Sequence, residues 1–185
     1  ALEIGPALRR RLHGRVAEAL RRMHAHDPDE ISGELAMHFH QASQMQPAID
    51  WYRRAASVAA DRFDYARSAG YLNTALTLLE SLPSTAERHN LEFTLLRAQI
   101  TNLSIIGGFT GPEMAKTFRR VYAIVEQLHD EQLRFYAYRD LRWYACATGA
   151  MDQAHRHAEA VLHLAQRLGD RASLTEAYTG MGIVY

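Results

Sequence analysis

Disulfide chemistry is excluded at the outset, because Cys146 is the only cysteine in the chain. A lone thiol suits a reducing compartment, and a cytoplasmic location is expected. Lysine is just as scarce. Lys116 is the only one, so arginine carries the rest of the positive charge and offers bidentate pairing between helices. Neither sign of charge is in excess. Twenty-one basic and 21 acidic residues give a formal net charge of zero, so no whole-molecule field would hold nucleic acid or an anionic membrane, and only a local patch could do so. No apolar run approaches the ~20 residues of a membrane span, no signal-peptide pattern is present, and no stretch alternates apolar and polar residues as a half-buried strand would.

The chemistry of common active sites is missing as well. Gly107, Gly108 and Gly111 lack the glycine-lysine-serine or threonine ending that would reach a nucleotide's phosphates, and they read as a helix C-cap and turn. Ten histidines invite a metal, yet His38 and His40, like His155 and His157, are two apart and point to different sides of a helix. His24 and His26 have no cysteine or acidic cluster at ligand spacing. Cys146, among Trp143, Tyr144 and Ala147, reads as a small packing residue and not a nucleophile. Asp27 and Asp29 read as capping residues. No catalytic residue, metal ligand or cofactor is therefore expected, and the chain is not expected to be an enzyme.

What the sequence does have is helical periodicity from end to end. Leu8, Leu12, Val16, Leu20 and Met23 recur every three to four residues from Pro6, with Arg9, Arg10, Arg15, Arg21 and Arg22 opposite them. Asp27, Pro28 and Glu30 read as an N-cap, first-turn proline and capping-box partner for a helix reaching about Ser43. Pro47 opens a third helix, and Asp64 caps a fourth that ends before Pro83. Ser84 with Glu87 introduces a helix ending at Gly107 and Gly108, and Thr110 with Glu113 starts the next. Asp130 begins another pair, Gly149 marks its turn, Gly169 closes it, and Asp170 caps the last helix. About nine antiparallel helices fit, and the fold class is all-α.

Between Phe135 and Val161 the pattern is specific. Phe135, Tyr138, Leu141 and Ala145 place large residues on one helix, Gly149 ends it, and Ala154, Ala158 and Val161 put small residues on the next. Tyr178, Met181, Gly182 and Tyr185 begin the same order again. These offsets resemble the tetratricopeptide repeat, whose period is about 34 residues. The resemblance implies a helical-hairpin solenoid with a right-handed superhelix. Ile31, Leu35, Ala36 and Phe39 with Ala48, Tyr52 and Ala55 form a more divergent pair, and the repeat phase between 47 and 83 stays open because Ser68, Leu72 and Ala75 also fit a second helix. The divisions read as a docking helix over 1–26, first divergent helices over 27–83, a second divergent hairpin over 84–129, the best-matching repeat over 130–170 and the first helix of a further repeat over 171–185. A chain that stops inside such a helix is expected to be a piece of a longer protein.

A second resemblance rests on order over a longer distance. Arg10, Arg11, Leu12, His13, Val16, Ala17, Ala19 and Leu20 precede Glu34, Leu35, Ala36, His38, Phe39 and Ala42. Then come Ala48, Tyr52, Ala55, Ala66, Ala75, Leu78, Leu79, Leu82 and Pro83, with further likeness at 91–96, 107–113 and 164–170. This run resembles the region downstream of the ATPase module in large bacterial signal-transduction ATPases with numerous domains, which include transcriptional activators and cyclase-linked relatives. The family's nucleotide-binding residues would lie before Ala1. The resemblance implies an interaction or inducer-sensing segment of a signalling or transcriptional regulator.

The first helix of each pair should line a concave ligand face. That places Glu30, Glu34, Met37 and Gln41 in the first pair and Tyr136, Arg139, Asp140 and Trp143 in the later one on a surface for a protein, a peptide or a small inducer. Arg9, Arg10 and Arg15 are expected to meet an upstream ATPase module, with Leu8, Leu12, Val16 and Leu20 docked on Leu35 and Phe39. Nucleic-acid contact through the arginine-rich helix is the weaker reading, since no aromatics interleave with the arginines. A structural or oligomerisation role without a ligand is the main alternative, with self-association through the last helix.

Overall fold

The computed structural model describes residues 5–184. Among them are nine α-helices, one short 3-10 turn and no strand: α1 (Pro6–Met23), α2 (Ser32–Gln41), α3 (Met45–Asp61), α4 (Tyr65–Leu79), α5 (Ala86–Gly107), α6 (Pro112–Ile124), the turn Val125–Gln127, α7 (Glu131–Ala147), α8 (Met151–Leu168) and α9 (Arg171–Val184). They form an all-α helical-repeat fold of two compact units, with the division between Pro83 and Ser84.

Three of the turns share one geometry. The second residue after the helix has a left-handed backbone at Ser43, Phe63 and Gly149 (φ 59°, 61° and 75°). The next N–H then reaches back five residues: Gln44 to the Phe39 carbonyl at 2.9 Å, Asp64 to Ala59 at 2.9 Å and Ala150 to Ala145 at 2.8 Å. This closes the C-terminal carbonyls of α2, α3 and α7. Four residues further on, Ala48, Ser68 and Ala154 are buried, because only a small side chain fits where two helix axes approach closely. Since α2–α3 and α3–α4 use the same turn, α3 serves as the second helix of one hairpin and the first of the next. That double use is why spacing alone leaves the phase of 47–83 open.

In the first unit the core is Leu35, Phe39, Ile49, Leu72 and Leu79 with interleaved alanines. Ser68 Oγ donates to the Ala56 carbonyl at 2.7 Å, which satisfies the hydroxyl inside the α3–α4 contact. In the second unit, Phe93, Leu96, Phe118, Val121, Phe135 and Leu141 fill the interior.

Several local expectations need correction. The helix expected to start at Asp27 starts at Ser32, with no side-chain cap. Asp29 instead pairs with Arg54 of α3, and Ser32 Oγ donates to the Asp29 carbonyl at 2.8 Å, so residues 27–31 become a turn. Thr85, not Ser84, caps α5 by accepting from the Arg88 N–H at 3.2 Å, while Ser84 Oγ lies 2.9 Å from His89 Nε2. Gly111 and Pro112, not Thr110, start α6. Asp64, Asp130 and Asp170 cap α4, α7 and α9 as the spacing indicates, accepting from N–H groups three residues on at 3.1, 3.0 and 2.8 Å.

The largest correction concerns α1. It does contact α2, but through Ala17, which is fully buried, and Gly14, whose absent side chain lets the α2–α3 turn approach. A Cβ there would sit 3.3 Å from Gln44 Nε2. Leu8, Leu12 and Val16 face outward instead. A helix seats its smallest residues where close approach is geometrically possible, and in α1 the apolar stripe is not that face.

Candidate functional site

The groove best equipped to recognise a ligand lies in the second unit, among α5, α6, α7, α9 and the turn before α6. Tyr136, Arg139, Asp140 and Trp143 share one face of α7, because their spacings of three and four residues bring them round to the same side. Arg97 of α5 reaches this face. Its guanidinium carbon lies 4.4 Å from the centre of the Tyr136 ring and its Nε is 3.3 Å from Asp140 Oδ2. Arg139 comes to the same pair, 5.0 Å from the Tyr136 ring centre and 2.7 Å from Asp140 Oδ1 through Nη2. One carboxylate therefore holds two guanidiniums over one aromatic ring, and both cations lose rotamer freedom before any ligand arrives.

Beside this cluster the surface turns apolar. Trp143 is 48% exposed and Phe109 43% exposed, over a floor that includes Phe118, which stacks on Tyr144 with ring centres 4.2 Å apart and planes 14° from parallel. The groove encloses about 480 Å³, within the ~300–1,000 Å³ usual for small-molecule sites. Thr101 and Ser104 line it too, but their hydroxyls donate to the carbonyls of Arg97 and Thr101 at 3.2 and 2.8 Å. Neither is set beside a base as a nucleophile would be. The arrangement suits recognition: guanidinium donors, a shared carboxylate and an exposed indole.

The far edge is held by an unusual buried charge. Arg142 is 1% exposed and donates through Nη2 to Glu176 of α9 at 3.2 Å, with Nε left without a hydrogen-bond partner. Burial lowers its pKa, opposed by Glu176. Gly180 leaves room for its guanidinium: a Cβ there would lie 2.2 Å from Nη1, so a larger residue would make the arginine tip shift. This pairing fixes Glu176 at the groove's margin.

The structure thus gathers all four α7 residues expected at a binding face. The α2 residues fare differently. Glu34, Met37 and Gln41 are exposed; Glu34 lines a depression with Glu30, Asp29, Asp64, Arg67 and Tyr71, and Met37 and Gln41 lie outside that depression. Arg9, Arg10 and Arg15 are exposed on α1. Sequence reasoning missed Arg97, Phe109 and Glu176. The signal available for Phe109 was an aromatic inside a glycine-rich turn; nothing near Arg97 or Glu176 singles them out.

Among the described residues no group of three or more histidine, cysteine, aspartate or glutamate side chains is placed to hold a metal ion, and no helix is long and apolar enough to cross a membrane. Two tyrosines near α8 are held by polar partners. Tyr138 donates to Glu126, and burial, aided by that carboxylate, pushes its pKa up to about 12. Tyr122 Oη lies 2.7 Å from His157 Nε2, whose pKa burial lowers.

No protein-family model matches the sequence, and no curated protein matches it. Among solved structures, the chain is similar to BtubC (BKLC) from P. vanneervenii, with 16% sequence identity, a TM-score of 0.63, and coverage of 99% of this chain and 84% of that one. At that identity the likeness shows the fold alone, an all-α helical-repeat architecture.

Proposed function

We propose that this chain is a non-catalytic interaction or inducer-sensing segment of a multidomain bacterial signalling or transcriptional regulator. The groove of the second unit takes a protein, a peptide or a small inducer, with no cofactor. The observation that carries the reading is the Arg97–Tyr136–Asp140–Arg139 cluster beside exposed Trp143. Preorganised arginine and exposed indole are the residue types that dominate binding energy at recognition surfaces. The likeness of the residue order to signal-transduction ATPases supports the wider context, with an ATPase module upstream.

Affinity capture with the purified chain, compared with a Tyr136→Ala/Trp143→Ala variant, tests the reading. Recovery of a partner that the double substitution weakens by about tenfold or more supports the groove, and recovery unchanged by it removes the groove. A second reading, self-association, is favoured by Tyr178 and Ile183 of α9, which are 61% and 45% exposed; Tyr185 lies outside the described residues. Light scattering separates the two: a stable oligomer supports self-association, a monomer the ligand groove.

A further inference from the structure

α1 turns outward an apolar stripe that none of the described residues of the first unit covers. Leu8, Leu12 and Val16, four residues apart, remain 42%, 37% and 41% exposed, while Ala17 is buried, His13 meets His38 of α2 and Gly14 lies against the α2–α3 turn. Residues 42–44 rise beside this stripe as a second wall, leaving an open groove floored by Leu12, Val16 and Ala19. Its rim is arginine: Arg10, Arg11, Arg15 and Arg22. Glu18 is the only acidic residue of α1 and is occupied by Arg21 at 2.8 Å. The four rim arginines form no ion pair among the described residues, so a strongly basic rim surrounds an apolar floor in a chain whose formal net charge is zero.

We propose that this groove docks an amphipathic helix of a partner protein, one whose apolar stripe is flanked by glutamate or aspartate. A helix fits because α1 offers ridges at four-residue spacing, into which another helix's ridges pack. An extended peptide would find no strand edge to pair with among the described residues. Acidic flanks fit because five of the six arginines of α1 lack a counter-charge among the described residues, and opposite charge at the rim steers the encounter and rejects basic partners. A second copy of this surface is a poor occupant: α1 against α1 would bring the two arginine rims together. A flat anionic bilayer does not follow a groove walled by the α2–α3 turn. This surface lies in the first unit and shares no residue with the groove proposed for ligand recognition, so either can fail alone.

The test uses the purified chain and a fluorescein-labelled amphipathic peptide of about 18 residues, the length that matches α1 at ~1.5 Å per residue. Leucine occupies one face and glutamate flanks it; a second peptide carries lysine in place of glutamate, and phosphatidylserine vesicles form a third arm. Anisotropy is expected to show binding of the glutamate peptide that weakens about tenfold or more in an Arg11→Glu/Arg15→Glu variant and in Leu12→Gln, and that falls with added salt. All three substituted positions are exposed, and circular dichroism confirms that each variant folds. Equal affinity for the lysine peptide, affinity unchanged by both variants, or arginine-dependent binding to the vesicles without binding to the glutamate peptide would each overturn the proposal.

Discussion

Gly180→Ala probes the buried arginine of the second unit with a single methyl group. In a helix interior alanine is favoured over glycine by about 1 kcal/mol, so a helix judged by propensity alone would gain. Here the added Cβ would lie 2.2, 2.4 and 2.9 Å from Nη1, Cζ and Nη2 of Arg142, and that guanidinium, 1% exposed, would have to shift from its place in the interior. Overpacking of this kind costs about 1–3 kcal/mol. Displacing the guanidinium also weakens its bond to Glu176, which contributes no more than about 1 kcal/mol because the Glu176 side chain is 40% exposed. The balance is a net destabilisation of between about zero and about 3 kcal/mol, against the gain of about 1 kcal/mol that propensity alone predicts. Gly182→Ala on the same helix is the control: nothing lies within 4 Å of its Cβ, so it should gain up to about 1 kcal/mol. Guanidinium unfolding followed by Trp143 fluorescence, in a Trp51→Phe background that silences the first unit, reads both. A Gly180→Ala variant that gains as much stability as Gly182→Ala would show that Arg142 does not occupy this site in solution.

Leu12→Ala should cost less than about 1 kcal/mol, because Leu12 faces solvent, whereas Ala17→Leu should cost about 1–3 kcal/mol by overfilling the α1–α2 contact; urea unfolding of the two variants reverses this order if α1 is rotated. Phe63→Gly should stabilise the first unit by about 1 kcal/mol, since a left-handed backbone strains any residue with a side chain and Phe63 is 79% exposed; a lowered melting temperature would contradict this. The α1–α2 contact should also depend on pH. His13 Nδ1 and His38 Nδ1 are 2.9 Å apart, so one must donate and the other accept, and two protonated rings cannot share the contact. The His38 pKa is lowered by burial and then by His13, with Glu34 opposing. A depressed histidine leaves stability whole above the unfolded value of about 6.5 and removes it as pH falls through the lower folded value. Protection factors of the α1 amides, corrected for the intrinsic exchange rate, should therefore fall as pH drops below about 6.5, and a His13→Asn variant that keeps the same pH dependence would refute the pairing.

Much of the helical framework was legible because its signals are local. Asp64, Asp130, Gly149, Gly169 and Asp170 act on backbone groups within a few residues, so the chemistry of a cap or left-handed turn can be read without knowing the partner helix. One failure traces to a distant group: Asp29 was available as part of a capping loop until Arg54, 25 residues away, paired with it; the shifts from Ser84 to Thr85 and from Thr110 to Gly111 are local. The α7 face was legible for the same local reason, since helical spacing alone puts Tyr136, Arg139, Asp140 and Trp143 together. Arg97 was not, because its distance to Asp140 depends on how α5 packs beside α7.

The sequence by itself determined the fold class, most helix ends, the absence of any internal disulfide and one face of the candidate groove, all of which follow from periodicity, turn chemistry and composition. Tertiary structure decided which side of α1 is buried, how Arg97 and Glu176 complete the α7 face, and that the space beside Gly180 is taken by the Arg142 guanidinium. Those outcomes depend on close approach between helices, where the space left by a missing side chain, as at Gly14 and Gly180, outweighs the pull of a hydrophobic stripe; a sequence records residue sizes but not which of them will meet.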